Sequence, residues 1–452
     1  MRIVIAGAGE VGSHLAKLLS SEANDITVID DDEKRLVTLA ESADIVSVQG
    51  NPSSITVLQR AGVANADIFV AVSPAESQDV NVVSAILAKK LGSRRVTARI
   101  NNEEYLTYDN RLIFTQMGID LMFYPEKIAA QEICDMLRRN STSDSMDFGR
   151  GKLQLSVFRI DEDSDLVDER IFDFSRRVSD DNLQFRIVAV SRNGSTFLPD
   201  GESKFKSRDT IFTITRREGV EILSRFFGRK EVAVRKVMIL GGGTTAQMLA
   251  KSLSPEVEHI KIMDVDRARC LELSEKLPDN VMVVCGDGRN SDTLVDENIR
   301  QYDAFVAITG NTETNILACV AARKLGVGRT VAEVENLTYI HLAEDMGVDA
   351  VVNKKLITAS RIYRLTLSDK VKAIKYMSGT DAEIMEFVVA PDSRITKAPL
   401  KDISFPSGAI IGGVIRGNDA FIAVGSTVIK AYDRVAVFAS PEAAKSVDKL
   451  FK

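Results

Sequence analysis

From residue 2 to about 125, short apolar runs alternate with segments whose apolar residues recur at helical spacing. The pattern predicts strands at 2–6, 26–30, 45–48, 67–73, 95–100 and 121–123, with helices at 11–20, 32–41, 53–61, 78–90 and 105–117 between them. Such alternation builds a parallel sheet with right-handed crossovers. Helical periodicity continues from Glu126 to Arg139 and gives way to a polar tail, Asn140 to Ser145. Beyond about 150 the period drops to two, at 153–160, 185–191 and 210–215, with turns at Asn193-Gly194 and Asp200-Gly201; this reads as a small β-rich α+β lobe. Both patterns then recur, with strands near 236–240, 260–264, 281–284, 303–309 and 330–334, a helical connector from Leu356 to Leu367, and β-rich segments at 383–390, 408–415, 420–423 and 433–438.

The repeat extends to chemistry. The first strand runs into Gly7-Ala8-Gly9-Glu10-Val11-Gly12 and the second ends at Asp30; the second half has Gly241-Gly242-Gly243-Thr244-Thr245-Ala246 and Asp264, each displaced by 234 residues (7 to 241, 30 to 264). In this arrangement the first glycine permits the tight turn, the second lets the backbone approach a pyrophosphate, and the third allows helix and strand to pack closely. Phosphate then sits on the free amides of the helix N-terminus, and the acid is placed for ribose hydroxyls. The alternative is a doubly wound fold whose glycines serve packing alone. Acidic Asp31, Asp32 and Glu33 after Asp30 disfavour a ribose 2′-phosphate, leaving NAD, NADH or an adenine nucleotide; the bland account of those three is a solvated helix start.

The later strand ends pair Gly50-Asn51 with Gly286-Asp287, Val72-Ser73 with Ile308-Thr309, and Arg99 with Glu333. A guanidinium there can grip a distal phosphate with a fork, whereas a carboxylate cannot. Two inequivalent sites are expected, the first better suited to a polyphosphate. A surface ion pair is the competing role for Arg99.

Composition narrows the classes. Across 452 residues, 45% hydrophobic and 27% charged residues indicate an ordinary globular protein, and a net charge of -6 argues against a general nucleic-acid binder. The longest apolar stretches fall well short of the roughly 20 residues of a spanning helix, and the N-terminal run lacks signal-peptide character. Cys134, Cys270, Cys285 and Cys319 lie far apart without CxxC spacing, so neither a metal site nor a disulfide framework is expected, and the cytosol is the expected compartment. The three histidines, His14, His259 and His341, fall in positions that suit packing or surface exposure, and no nucleophile–base constellation stands out. No catalytic residue is assigned; an NAD-dependent oxidoreductase is the alternative class.

The segments GAGEVGSHLAKLLS, VIDDDEKRL, VQGNPSS, ADIFVAVSPAESQDVNVVSAILAKKLG and VTARI resemble the N-terminal lobe of the RCK/KTN family, the regulators of potassium conductance; the β-rich lobes, including VAVSRNGSTFLPDGESKFKSRDTIFTI, resemble its C-terminal domain. The fold so implied is two tandem Rossmann-like, doubly wound parallel-sheet domains, each followed by a small α+β lobe. Its boundaries are 1–125 and 151–230 around a crossover helix and linker at 126–150, then 235–352 and 371–452 around a crossover helix at 353–370. The resemblance also implies a nucleotide-sensing regulator, peripheral to the inner face of the cell membrane, that gates a separate potassium-translocating subunit of the Trk type, with tetramers of these double-length chains. Carried over, the contacts to NAD or NADH, with ATP or ADP as competing or second-site ligands, fall on Gly7, Ala8, Gly9, Glu10, Val11, Gly12, Asp30, Gly50, Asn51, Val72, Ser73 and Arg99. In the second half they fall on Gly241, Gly242, Gly243, Thr244, Thr245, Asp264, Gly286, Asp287 and Thr309, where Glu333 in the place of Arg99 supplies no fork for a triphosphate.

Overall fold

A computed structural model of the chain describes residues 1–20, 24–74, 77–138, 144–149, 151–160, 164–178, 184–192, 195–227, 234–366, 371–376 and 382–451. The expected turn Asn193-Gly194 and most of the polar tail after Arg139 lie outside the described residues.

The first sheet has six strands, β1 (Arg2–Ala6), β2 (Asp25–Asp30), β3 (Val46–Gln49), β4 (Ile68–Ala71), β5 (Arg95–Arg99) and β6 (Leu121–Phe123), in the order β3-β2-β1-β4-β5-β6 and all parallel. Its helices are α1 (Glu10–Ser20), α2 (Glu33–Ala40), α3 (Ile55–Arg60), α4 (Gln78–Leu91) and α5 (Tyr108–Gln116). Ile3, Val4, Ile5 and Ala6 are all fully buried, as they must be in a central strand with helices on both faces. The expected helix at 105–117 is two pieces, a 3-10 turn at Glu103–Leu106 and then α5, with Thr107 extended between them.

After β6 the chain enters α6 (Pro125–Arg138). From Glu132 onward this helix belongs to a different compact unit, where Arg138 grips Glu256 through two hydrogen bonds of 2.8 and 2.7 Å. Conversely α14 (Lys354–Thr366), which follows the second sheet, belongs to the first unit, packing on α1 with Ala359 and Ile362 fully buried.

The second unit holds the other sheet: β12 (Lys236–Leu240), β13 (His259–Asp264), β14 (Val281–Cys285), β15 (Ala304–Ala307), β16 (Arg329–Glu333) and β17 (Ala350–Val352), in the order β14-β13-β12-β15-β16-β17. Its helices are α9 (Thr244–Leu253), α10 (Arg267–Lys276), α11 (Ser291–Asp296), α12 (Thr312–Lys324) and α13 (Tyr339–Asp345). The same unit contains both antiparallel lobes. One is β7 (Asp144–Phe148), β8 (Leu153–Arg159), β9 (Phe185–Arg192), β10 (Ser195–Phe197) and β11 (Thr210–Arg216), with α7 (Ile171–Val178) and α8 (Arg217–Phe226); the other is β18 (Val371–Tyr376), β19 (Glu383–Val388), β20 (Ala409–Arg416), β21 (Asp419–Ile422) and β22 (Arg434–Ala439), with α15 (Pro441–Phe451). Their orders, β10-β9-β11-β8-β7 and β18-β19-β22-β20-β21, are the same arrangement read from opposite edges.

These lobes share one core. Phe148, Leu153, Val188, Phe212 and Ile214 of the first interleave with Ile384, Ile415, Ala436 and Phe438 of the second. Gly412 and Gly413 make the approach possible, since a Cβ at Gly412 would overlap the Ile214 side chain and one at Gly413 would lie 2.6 Å from Leu153 Cδ1. Each lobe also fixes the loop before its fifth strand in order of sequence with one repeated pair: Arg192 forks onto buried Asp209 (2.7 and 2.7 Å), and Arg416 onto buried Asp433 (2.9 and 2.7 Å).

Candidate functional site: two glycine-loop clefts

The strand order reverses between β1 and β4, so the loops leaving these two strands diverge and open a crevice at the carboxyl edge of the sheet. Gly7 makes the turn with φ +111°, a conformation that favours glycine, and its N–H donates to Ile29 O at 2.8 Å. A Cβ here would stand 2.7 Å from Ser73 N, which is how closely the two diverging loops approach. At Gly12 a Cβ would overlap the carbonyl oxygen of Gly7, so α1 can seat on the turn only with glycine there. Gly9 faces open space, leaving room above the loop. Glu10, Val11 and Gly12 occupy the first turn of α1, where backbone N–H groups have no partner four residues back.

Asp30 is buried at the end of β2 and works on the protein itself. Its Oδ2 accepts the Ala8 N–H at 2.5 Å and its Oδ1 accepts the Asp32 N–H at 2.9 Å, so one carboxylate braces both the glycine loop and the entry to α2. Arg35 stands 3.8 Å from the same group. Of the acids that follow, Asp32 is the N-cap of α2, accepting the Lys34 N–H at 2.9 Å. Gly50, with φ +149°, donates to Asp30 O at 2.9 Å, and Asn51 Oδ1 is taken up by Ser53 N and Oγ at 2.8 and 2.7 Å. Val72-Ser73 closes the opposite wall. Arg99 lies at the end of β5, with one guanidinium nitrogen 3.2 Å from Glu126 Oε1 on α6; Arg99 Nε and Glu126 Oε2 are buried with no hydrogen-bond partner among the described residues. The ion-pair role weighed for Arg99 is therefore present, and a second N–H remains over. Glu10 pairs with Lys355 at 3.3 Å.

The second cleft repeats the framework with other contents. Gly241 turns at φ +103° and donates to Met263 O at 2.8 Å, while Gly242 N–H donates to Asp264 Oδ2 at 2.6 Å. Asp264 Oδ1 accepts the Asp266 N–H at 2.8 Å, and Arg269 reaches Oδ2 at 3.2 Å. Burial works to raise the carboxyl's pKa, but the amides of Asp266 and Gly242 together with Arg269 outweigh it and hold the group below the usual aspartate value. Ala246 is fully buried in the place of Gly12, and Gly243 faces open space as Gly9 does. The cleft measures about 350 Å3 and is lined among others by the glycine turn, Asp264, Arg269, Asp287, Arg289 and Thr309. That volume lies within the range of small-molecule sites. Asp287 is held by Arg289 (2.9 and 2.7 Å), which lowers its carboxyl pKa, and Gly286 N–H donates to Asp264 O at 2.9 Å. Thr244 and Thr245 open α9, and Glu333 is buried at the end of β16.

Sequence reasoning missed several members of these walls. Asn81 on α4 is buried, accepts the Ser73 N–H at 2.9 Å and returns its own N–H to Ser73 O at 3.2 Å; Asn315 on α12 accepts from Thr309 N and Oγ1 at 2.9 and 2.6 Å. The two asparagines are again 234 residues apart (81 to 315), a signal present in the chain and unused. Glu126 and Arg269 carried no comparable mark, because their partners Arg99 and Asp264 come from other elements, and Arg289 pairs with Asp287 within one loop at a spacing that belongs to no motif.

Two doubly wound sheets, each with an acid-braced glycine loop, and two antiparallel lobes define a tandem RCK-type architecture. The solved RCK domain of GsuK superposes with a TM-score of 0.60 at 17% identity, covering 100% of this chain and 94% of that one, and the GsuK channel bound to NAD does so at 0.60 and 17%, covering 100% and 78%. The TrkA-N domain model matches residues 3–125 and 237–354, and the TrkA-C domain model residues 384–452. Over full length the chain is 32% identical to Trk system potassium uptake protein TrkA homolog 1 of Methanosarcina mazei (100% of both chains) and 30% identical to Trk system potassium uptake protein TrkA of Haemophilus influenzae (100% of this chain, 99% of that one). The chain belongs to the TrkA family of Trk potassium uptake proteins.

Proposed function

We propose that this chain is the cytoplasmic nucleotide sensor of a membrane potassium uptake system, binding NAD(H) or ATP/ADP at its two clefts and using the binding energy to bias the gate of a separate translocating subunit. The observation that carries this reading is the duplicated glycine turn, each copy braced by the carboxylate at the end of the next strand (Ala8 to Asp30, Gly242 to Asp264). A ligand phosphate would rest on the first-turn amides of α1 or α9, in the open space over Gly9 or Gly243, with ribose hydroxyls toward Asp30 or Asp264. Gly50, Asn51, Val72 and Ser73 would wall the first site; Gly286, Asp287 and Thr309 would wall the second. Arg99, whose Nε is buried beside Glu126, would have to turn from that pair to grip a distal phosphate. The family's relatives are named for potassium uptake, and the neighbouring GsuK channel is described with NAD bound, which supports a nucleotide as the signal.

A ligand moves a conformational equilibrium only by its difference in affinity for the two states, typically ~1–3 kcal/mol. A ring of these chains, a tetramer by analogy, would pass that difference to the pore. The exposed apolar residues of α5, Tyr108, Leu112 and Ile113, suit burial between copies. No described helix is long and apolar enough to cross a membrane; the pore in this proposal is a separate subunit, as the relatives' naming for a Trk uptake system supports.

Titration calorimetry with ADP, ATP and NADH, paired with potassium flux through vesicles carrying the membrane subunit, tests the reading. Saturable binding without turnover, and flux that responds to nucleotide in the wild type but not in Asp30→Ala, is the expected result. NADH oxidation coupled to a small carbonyl substrate would instead establish the oxidoreductase class.

A further inference from the structure

Two thiols meet at the edge of the second cleft. Cys270, on the first turns of α10, is buried, and its Sγ donates toward Asp264 O at 3.4 Å and Val284 O at 3.7 Å. Cys285, the last residue of β14, is exposed, and its Sγ donates toward Val265 O at 3.8 Å; Asp264 and Cys285 stand opposite each other in the β13–β14 register. The two sulfurs therefore converge on the carbonyls of adjoining residues, Asp264 and Val265, from the two sides of the β13–β14 pair. The rest of the cysteine complement is different: Cys134 and Cys319 are buried, and burial pushes the Cys134 thiol up to about 12. Neither chain position nor motif marks the pair, because they stand 15 positions apart (270 to 285), with helix, loop and strand between them.

We propose that Cys270 and Cys285 are a redox pair, oxidised by a hydroperoxide to a disulfide that ties α10 to the end of β14 and so alters ligand binding in the second cleft. In the first step the exposed Cys285 thiolate attacks an oxygen of hydrogen peroxide, the O–O bond breaks, and the hydroxide that leaves takes up the proton the thiol had released, giving a sulfenic acid and water. In the second the Cys270 sulfur attacks the sulfenic sulfur, the S–S bond forms, and a second water leaves. Two thiols are oxidised and one peroxide is reduced. Burial and the neighbouring thiol raise the Cys270 pKa, which slows the second step and gives it the character of a sensor that responds to sustained oxidant. The consequence for the cleft follows from chain position. Arg269, which reaches Asp264, immediately precedes Cys270, and Asp287 with its partner Arg289 comes two residues after Cys285. A covalent tie at these points fixes the spacing of the two cationic residues, Arg269 and Arg289, that line the cleft. This last step rests on the nucleotide-sensor reading; bond formation does not.

The full-length protein is treated with hydrogen peroxide, blocked with an alkylating agent and analysed by intact mass and peptide mapping. Expected are a loss of ~2 Da reversed by dithiothreitol, a cross-linked peptide joining residues 270 and 285, and no such species in Cys270→Ser, where a dimedone-trapped sulfenic acid on Cys285 replaces it. Sulfinic or sulfonic acid on Cys285 in the wild type, or a disulfide between two chains, overturns the pair. ADP affinity is then compared in oxidised and reduced protein bearing Asp30→Asn, so that only the second cleft reports. A change of ~5-fold or more is expected from the usual size of coupling between sites, and equal affinities with the bridge formed overturn its regulatory part. Absence of ADP binding in the reduced protein counts against the sensor reading alone, while the mass result still decides the bridge.

Discussion

At the scale of single residues, the glycine loops differ in a way that predicts unequal tolerance. Gly12→Ala places a methyl on the Gly7 carbonyl, backbone against backbone, so the helix must move; a loss of about 1–3 kcal/mol in urea denaturation and failure of the first cleft in calorimetry are expected. Ala246→Gly in the second copy removes only a methyl from a helix and is expected to cost about 1 kcal/mol. The braces make a separate prediction about pH. Because the folded-state pKa of Asp264 is depressed, its contribution to stability is present above the unfolded value of about 3.9 and is lost as pH falls toward and through the lower folded value. Asp264→Asn should therefore flatten the stability curve of this lobe on the acid side, read by denaturation midpoints across that range. The aspartates were legible from their place after a strand. Their first duty, holding the Ala8 and Gly242 amides, was not, since a hydrogen bond to a loop 22 residues earlier has no signature of its own.

Elements follow the periodicity where burial is two-sided and depart from it at edges. Central strands such as β1 and β12 are continuous apolar runs and stand where the pattern put them. The short strand β7, at the edge of its sheet, follows directly on a polar tail, and the pairing that makes Asp144–Phe148 a strand is supplied by β8. Thr107 splits the predicted helix because its extended backbone starts α5 afresh. Between elements, Asn81 and Asn315 fasten helices to strand-end loops. Asn81→Ala leaves the buried Ser73 amide without its acceptor, and a destabilisation of about 1–3 kcal/mol is expected, with faster amide exchange around Val72-Ser73 as the local readout. At the junction of the small lobes, Gly412→Val should be more damaging than a valine on their outer surfaces, since the added carbons enter space held by Ile214 and Val188; a lowered unfolding midpoint with the nucleotide clefts intact would match.

For the whole molecule, the proposal of two ligand sites on one chain would make stability a reporter of occupancy. A nucleotide that binds only the folded chain stabilises by about 2.7 kcal/mol at one hundred times its Kd, so ADP should raise the thermal midpoint of the wild type and raise it less in Asp30→Asn. Equal shifts in both would assign the effect to the second cleft. The sequence by itself determined the tandem order of lobes, the position of each glycine turn and its acid, and the inequality of Gly12 and Ala246, because these depend on local backbone geometry and on periods of two or 3.6 residues that a chain displays directly. Only the tertiary structure decided that Arg99 spends part of its charge on Glu126, that Arg269 and Arg289 line the second cleft, that α14 joins the first unit, and that the sulfurs of Cys270 and Cys285 reach the carbonyls of adjoining residues. Each of those facts is a meeting of side chains or surfaces from separate elements, and its geometry is fixed by how sheets and helices pack rather than by spacing along the chain.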